Sequence, residues 1–133
     1  MNKDSINLPA IPLRGITIFP NMIIHFDVGR EKSISALEES MLKDSKIFLV
    51  SQIDPEIEEP KRNEIYSIGT ICKIKQILKL PKGVTRVLVE GVERAAIIDL
   101  IEDKKFMEVL VEKIDDELNL KDENEDSALR NLL

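Results

Sequence analysis

The chain has 133 residues, 43% apolar and 33% charged, with 5 Gly and 6 Pro, which is one domain with room for a sizeable core and neither low-complexity nor collagen-like. A formal net charge of −6 argues against a nucleic-acid binder. One cysteine, Cys72, and one histidine, His25, exclude an internal disulfide and any two-histidine catalytic set, and argue against a Cys- or His-based metal site.

The first residues, Met1 to Ser5, lack the apolar stretch of a secretion signal. No apolar run approaches the roughly 18 residues of a membrane span, so the expected location is cytoplasmic. Aromatic residues make up only 4%, so the core must be built from Ile, Leu and Val.

Ile6 to Leu13 alternates loosely and holds Pro9 and Pro12, which remove ladder donors; it reads as an edge strand or extended entry segment. Gly15 to Asn21 is a loop, and Met22 to Val28 a strand closed by Gly29. Over Glu31 to Asp44 the period changes. Ile34, Leu37 and Met41 fall on one side with Ala36 and Leu42 flanking, which predicts an amphipathic helix. Lys46 to Gln52 is a nearly continuous apolar run and predicts a buried strand, and Ile53 to Glu64, with Pro55 and Pro60, a surface loop.

Ser67 to Leu80 and Val84 to Glu93 read as a long hairpin about Lys82-Gly83, where Gly suits a positive φ. With that two-residue loop, Leu78 faces Val87 and Ile77 faces Leu88. Cys72, Ile74, Leu78, Val87 and Val89 then share the core face, and Lys73, Lys75, Lys79, Arg86 and Glu90 the wet one. Arg94 to Ile101 and Phe106 to Ile114 predict a further strand pair turning at Glu102 to Lys105. One helix cannot cover both faces of so much sheet. The expected fold is therefore mainly β with one main helix (α+β), its mixed strands curling into a small barrel or pseudo-barrel.

Residues 102–126 carry eleven acids against four bases, and the span 117–126 reads as an acidic loop or linker. Ser127 to Leu133 looks like the start of a helix, with Ser127 as N-cap and Leu129, Leu132 and Leu133 as an apolar stripe. A chain stopping on such a stripe predicts a piece of a longer protein.

Catalytic machinery is not legible. Neither Gly-x4-Gly-Lys-Ser/Thr nor Gly-x-Gly-x-x-Gly occurs, and the acidic stretch lacks a calcium-loop pattern. His25 falls inside a predicted strand without a nucleophile signature, and Cys72 on the predicted core face reads as an inert packed thiol. Two features stand out instead. The loop around Ile18, Phe19, Pro20 and Met22 is unusually apolar for a surface segment. The predicted register also leaves Ile77 and Leu88 as an apolar pair on the charged face of the hairpin. Both either pack beneath another part of the barrel or form an adaptable surface for polypeptide. Residues 73–94 hold six bases and two acids, which leaves RNA binding open, although stacking aromatics are missing there.

Leu8-Pro9-Ala10-Ile11-Pro12-Leu13-Arg14-Gly15, Phe19-Pro20-Asn21-Met22 and Asp27-Val28-Gly29-Arg30-Glu31-Lys32-Ser33 resemble the opening of bacterial Lon proteases. Ile68-Gly69-Thr70, Lys75-Gln76, Leu80-Pro81-Lys82-Gly83 and Arg86 to Ala95 continue the likeness, in order, over roughly 8–115. The resemblance implies a PUA-like pseudo-barrel over 1–116 that recognises unfolded, damaged or tagged polypeptide, with Ile18, Phe19, Pro20, Met22, Ile77 and Leu88 as candidate contacts. It implies no catalytic, cofactor or metal site in this chain. A Ser-Lys dyad and an ATPase module using ATP and magnesium would lie elsewhere in the parent protein, which would assemble as a homo-oligomeric ring, a hexamer. A free-standing substrate-receptor module of the same fold, or a PUA-like RNA-binding domain, are the alternatives.

Overall fold

The strand that opens the chain, β1 (Ser5–Leu13), meets both its earliest and its latest neighbours. The structure is a computed structural model that describes residues 5–101 and 105–114. After β1 come β2 (Ile23–Val28), α1 (Glu31–Leu42), β3 (Lys46–Ser51), β4 (Ile68–Lys79), β5 (Thr85–Ile101) and β6 (Met107–Lys113). The sheet runs β2-β5-β4-β3-β1-β6, and β6 pairs again with β5. Five strands thus close into a ring, and β2 lies outside it along the first half of β5. The expected mainly-β pseudo-barrel with one helix is what the chain forms. The expected linker at 117–126 and helix start at Ser127 lie outside the described residues, as does most of the turn expected at 102–105.

Two cores share the ring wall. Leu8 and Ala10 of β1, Phe48 and Val50 of β3, Ile71 of β4, Ala95 and Ile97 of β5, and Val109 and Val111 of β6 fill the lumen. On the other side of β1, β3 and β4, a second core gathers Ile11, Leu13, Ile47, Leu49, Cys72 and Ile74. It is covered by β2, the first half of β5, and Ala36 and Leu37 of α1. Strands β1 and β3 are therefore buried on both faces, which is why β3 is a continuous apolar run rather than an alternating one.

Bulges let one strand serve both cores. In β5, Val87 and Val89 face the outer core while Ala95 and Ile97 face the lumen, although all four have the same parity. The extra residue is Val92, since Ile71 pairs with Glu93 but Cys72 with Gly91. The sequence pattern reads this change of phase as a break at Glu93/Arg94; the ladder instead continues as one 17-residue strand.

β1 is not an edge strand as expected. It is parallel to β3 and antiparallel to β6. The two ladders overlap only at Ala10, with β6 alongside Ser5 to Ala10 and β3 alongside Ala10 to Leu13. Pro9 and Pro12 each stand where only one neighbour pairs, so each is locally at an edge and no bonded donor is lost on both sides. The helix also differs in detail. Its buried line is Ser33, Ala36, Leu37 and Ser40, small residues that let it pack close, and Met41 and Leu42 turn outward.

Candidate functional site

Between β1 and β2 the chain makes an apolar loop that is fastened almost residue by residue. Ser51 donates its hydroxyl to the Ile16 carbonyl at 2.7 Å. Thr70, itself buried, donates to the Ile18 carbonyl. The Asn21 amide donates to the Gly91 carbonyl at 2.8 Å, and the Gly91 amide to the Met22 carbonyl at 2.8 Å. A turn bond from the Met22 amide to the Phe19 carbonyl closes the tip, with Asn21 at φ 72°. Gly91 has no side chain for a reason: a Cβ there would run into the Phe19 carbonyl and the Pro20 Cα.

This anchoring sorts the candidate contacts. Ile18 is buried in the outer core at 5% exposure, so it is a plug and not a contact surface. Phe19 stands out at 51%, Pro20 is half-buried, and Met22 is partly exposed. Exposed Ile23 follows at the head of β2 opposite Glu90, and the bulge residue Val92 flanks Gly91. Phe19 also borders a shallow pocket with Ile68 and Arg94. The sequence pattern does not single out Ile23, Val92 or Ile68. The signal that could have found them is the lone Gly91 inside a strand pattern, a mark of close backbone approach.

The expected Ile77–Leu88 pair does not form. The β4–β5 ladder ends at Lys79↔Thr85, and the connection is a longer turn through Pro81–Gly83, with Lys82 and Gly83 both at positive φ. Lys75 is an extra residue, because Ile74 pairs with Val89 and Gln76 with Leu88. Ile77 consequently pairs with Val87 and packs, half-buried, on the outer core. Leu78, placed on the core face by simple alternation, is 50% exposed. Leu88 remains on the outer surface, between Gln76 and His25. Ile77 and Leu88 therefore do not form one patch, and neither adjoins Phe19 in the pairing.

The lone reactive types are bland. Cys72 is fully buried, and burial pushes its thiol up to about 12, so no thiolate is available near neutrality. His25 lies exposed on β2. Among the described residues, no group of three or more His, Cys, Asp or Glu side chains is placed to hold a metal ion, and no helix is long and apolar enough to cross a membrane.

A second concavity, about 490 Å³, lies between the end of β1 and β2. Its walls include buried Ile11, Leu13, Phe26 and Val28. Arg14, Arg30 and Arg86 line it as well. Arg86 donates to both Asp27 carboxylate oxygens from one guanidinium edge, Nε at 2.8 Å and Nη2 at 3.2 Å, and this pairing holds the Asp27 carboxyl below its ordinary value. Arg30 gives its hydrogen bonds to neutral acceptors: the Pro12 carbonyl, the Gln52 side chain and the Glu58 carbonyl. Burial, then the neighbouring Arg14 charge, lowers its pKa from the ordinary value.

Residues 7–133 match the family model of the ATP-dependent protease La (LON) substrate-binding domain. The chain belongs to that family. This LON-family chain is 49% identical over 133 residues to a Lon protease of Clostridium acetobutylicum, covering 100% of this chain and 17% of that protein. It is 45% identical over 127 residues to Lon protease 1 of Bacillus subtilis, covering 96% of this chain and 16% of the relative. The chain thus spans about a sixth of the length of these curated relatives. Its fold is shared with the N-terminal domain of a Mycobacterium avium complex Lon protease, at TM-score 0.67 and 18% identity, over 83% of this chain and 55% of that one. A Lon N-terminal domain protein from Xanthomonas campestris aligns at TM-score 0.64 and 15% identity, over 83% and 60%.

Proposed function

We propose that this chain is the substrate-binding N-terminal part of a longer ATP-dependent Lon protease, and that it holds unfolded, damaged or tagged polypeptides for degradation without catalysing anything itself. The observation that carries the reading is Phe19, half exposed at the tip of a loop whose backbone is bonded to Gly91 on one side and held by Thr70 on the other. An apolar side chain kept out of the core by a fixed backbone is already arranged for contact, so little ordering cost is added on binding. Unfolded chains expose the aliphatic groups that such a surface can cover.

Burying one Leu-sized group contributes about 1.5–3 kcal/mol, which leaves weak affinity at a single site. Copies held in a homo-oligomeric ring, a hexamer in this reading, would raise retention by avidity while each contact stays weak enough to release its client. Met22, Pro20 and, more remotely, Leu88 extend the surface. The Ser-Lys dyad and the ATP and magnesium sites belong in this reading to other parts of the parent protein, in the cytoplasm; no residue pattern here fits a nucleotide. The β domain would span 1–116, followed by an acidic linker at 117–126 and the start of a helical segment at 127–133.

The test is Phe19→Asp. Binding to a reduced, carboxymethylated model protein is expected to weaken at least fivefold with an unchanged melting temperature. Unchanged affinity overturns the assignment of the loop.

A further inference from the structure

The concavity between β1 and β2 separates two strand edges that have lost their neighbours. β2 ends the sheet, with β5 as its one partner among the described residues. Beyond Ala10, β1 has left β6 and pairs only with β3. The edges are not equivalent. The Leu13 carbonyl accepts from Gln52, next after β3, so Pro12, one residue back, turns its backbone the opposite way. Pro12 has no N–H to offer there, and its carbonyl is already taken by Arg30 at 2.7 Å. The β1 edge is blunted. On β2, the Met22 carbonyl accepts from Gly91, so by alternation the backbone groups of Ile23, His25 and Asp27 point away from β5. That edge is open, and an open edge is a template for one more strand.

We propose that this groove receives an extended polypeptide segment carrying acidic side chains, which pairs with the free edge of β2. The proposal rests on the polypeptide-binding reading above and names the class of client and its mode of binding. Alternate side chains of an added strand would point down onto Ile11, Leu13, Phe26 and Val28, and the others outward. The charge of the lining selects among peptides. Arg14, Arg30 and Arg86 surround the groove, and Asp27, the acid among the lining residues, is already engaged by Arg86. Arg14 makes one long bond, 3.4 Å to the Ile57 carbonyl, and among the described residues neither Arg14 nor Arg30 has a carboxylate ion-pair partner. Glu58 and Glu59 also act on Arg30, but they line a separate concavity beside α1 and not this groove. An acidic strand supplies the missing counter-charges, and a basic one meets repulsion.

The probe is a fluorescent ten-residue peptide of alternating Glu and Val, followed by anisotropy on the 133-residue chain. It should bind at least tenfold more tightly than the Lys/Val counterpart. N-methylation of alternate backbone amides should abolish binding in one phase and spare it in the other. Arg14→Glu, an exposed change that leaves the core intact, should weaken binding at least fivefold. Amide shifts should concentrate on His25 and Asp27. Equal affinity for the Glu and Lys peptides, insensitivity to N-methylation in both phases, or shifts confined to residues 16–23 would overturn the groove. Phe19→Asp separates the two readings. If it weakens binding of the unfolded protein but Arg14→Glu leaves the Glu/Val peptide untouched, the loop stands and the groove falls. If Arg14→Glu weakens the peptide while Phe19→Asp leaves the unfolded protein untouched, the groove stands and the loop falls.

Discussion

The loop from Arg14 to Met22 and the β4–β5 hairpin solve opposite problems with apolar side chains. In the loop, backbone bonds to Ser51, Thr70 and Gly91 fix the chain so firmly that Ile18 is driven inward while its neighbour Phe19 is left outside. In the hairpin the Ile74 amide is held by the Ser45 carbonyl, but among the described residues the stretch of β4 beyond it pairs with β5 alone, and a surplus residue decides. Lys75 bulges out, and the strand beyond it reverses its faces, sending Ile77 in and Leu78 out. Exposure at the loop is thus a matter of attachment, and exposure at the hairpin a matter of counting. Only the first kind produces a surface held ready, because an exposed residue on an anchored backbone loses little freedom when a partner arrives.

The comparison can be broken most forcefully at Gly91. Gly91→Val puts a branched side chain where the Phe19 carbonyl and Pro20 Cα already lie, so either β5 or the loop must move. A loss of about 3 kcal/mol is expected, read from the urea midpoint, together with faster amide exchange at Asn21. Stability equal to the parent would mean that the loop is not docked there. On the hairpin, Ile77→Asp should cost about 2 kcal/mol, since it puts a charge against the outer core, whereas Leu78→Asp should stay within about 0.5 kcal/mol. The reverse ranking in thermal denaturation would restore plain alternation and remove the bulge.

A finer cut removes a single bond. Thr70→Val keeps the shape of the buried side chain but leaves the Ile18 carbonyl without its donor. We expect a cost of about 1–2 kcal/mol and faster exchange of the loop amides, with the hairpin amides unchanged. Smallest is the outer face of the hairpin. The Arg86 hydrogen bond holds Asp27 below the carboxylate's ordinary 3.8, so the pair favours the folded chain above that pH and ceases to help as pH falls through the lowered value. Both groups lie in water, and the contribution is correspondingly slight. Arg86→Gln should move the Asp27 carboxyl titration, followed by its carbon chemical shift, upward toward the ordinary carboxylate value; a titration that does not move would place the cause elsewhere.

Much of this architecture was legible in the residues. The unbroken apolar run of β3 announces burial on both faces, and the change from period 2 to 3.6 at Glu31 marks the helix. The prolines of β1 do signal an edge, but a local one created by staggered partners and not the edge of the whole sheet. The bulge at Lys75 is not legible, because one extra residue there leaves no compositional mark while inverting everything beyond it, and the one at Val92 is marked only by its neighbour Gly91. That is why simple alternation puts Leu78 inside and breaks β5 in two. At the loop, apolar character was visible but the choice between Ile18 and Phe19 was not. It depends on hydrogen bonds to Thr70 and Gly91, residues far along the chain.

The closure of the ring also dictates a timetable. Ser5 on β1 is matched with Glu112 on β6, so of the six described strands the one synthesised first is sealed by the one synthesised last. At a synthesis rate of about 5–20 residues per second, β1 waits several seconds, with one flank uncovered, for a neighbour not yet made. Newborn copies must pass through that interval, briefly exposing the same kind of greasy strand that the finished domain is proposed to capture in others.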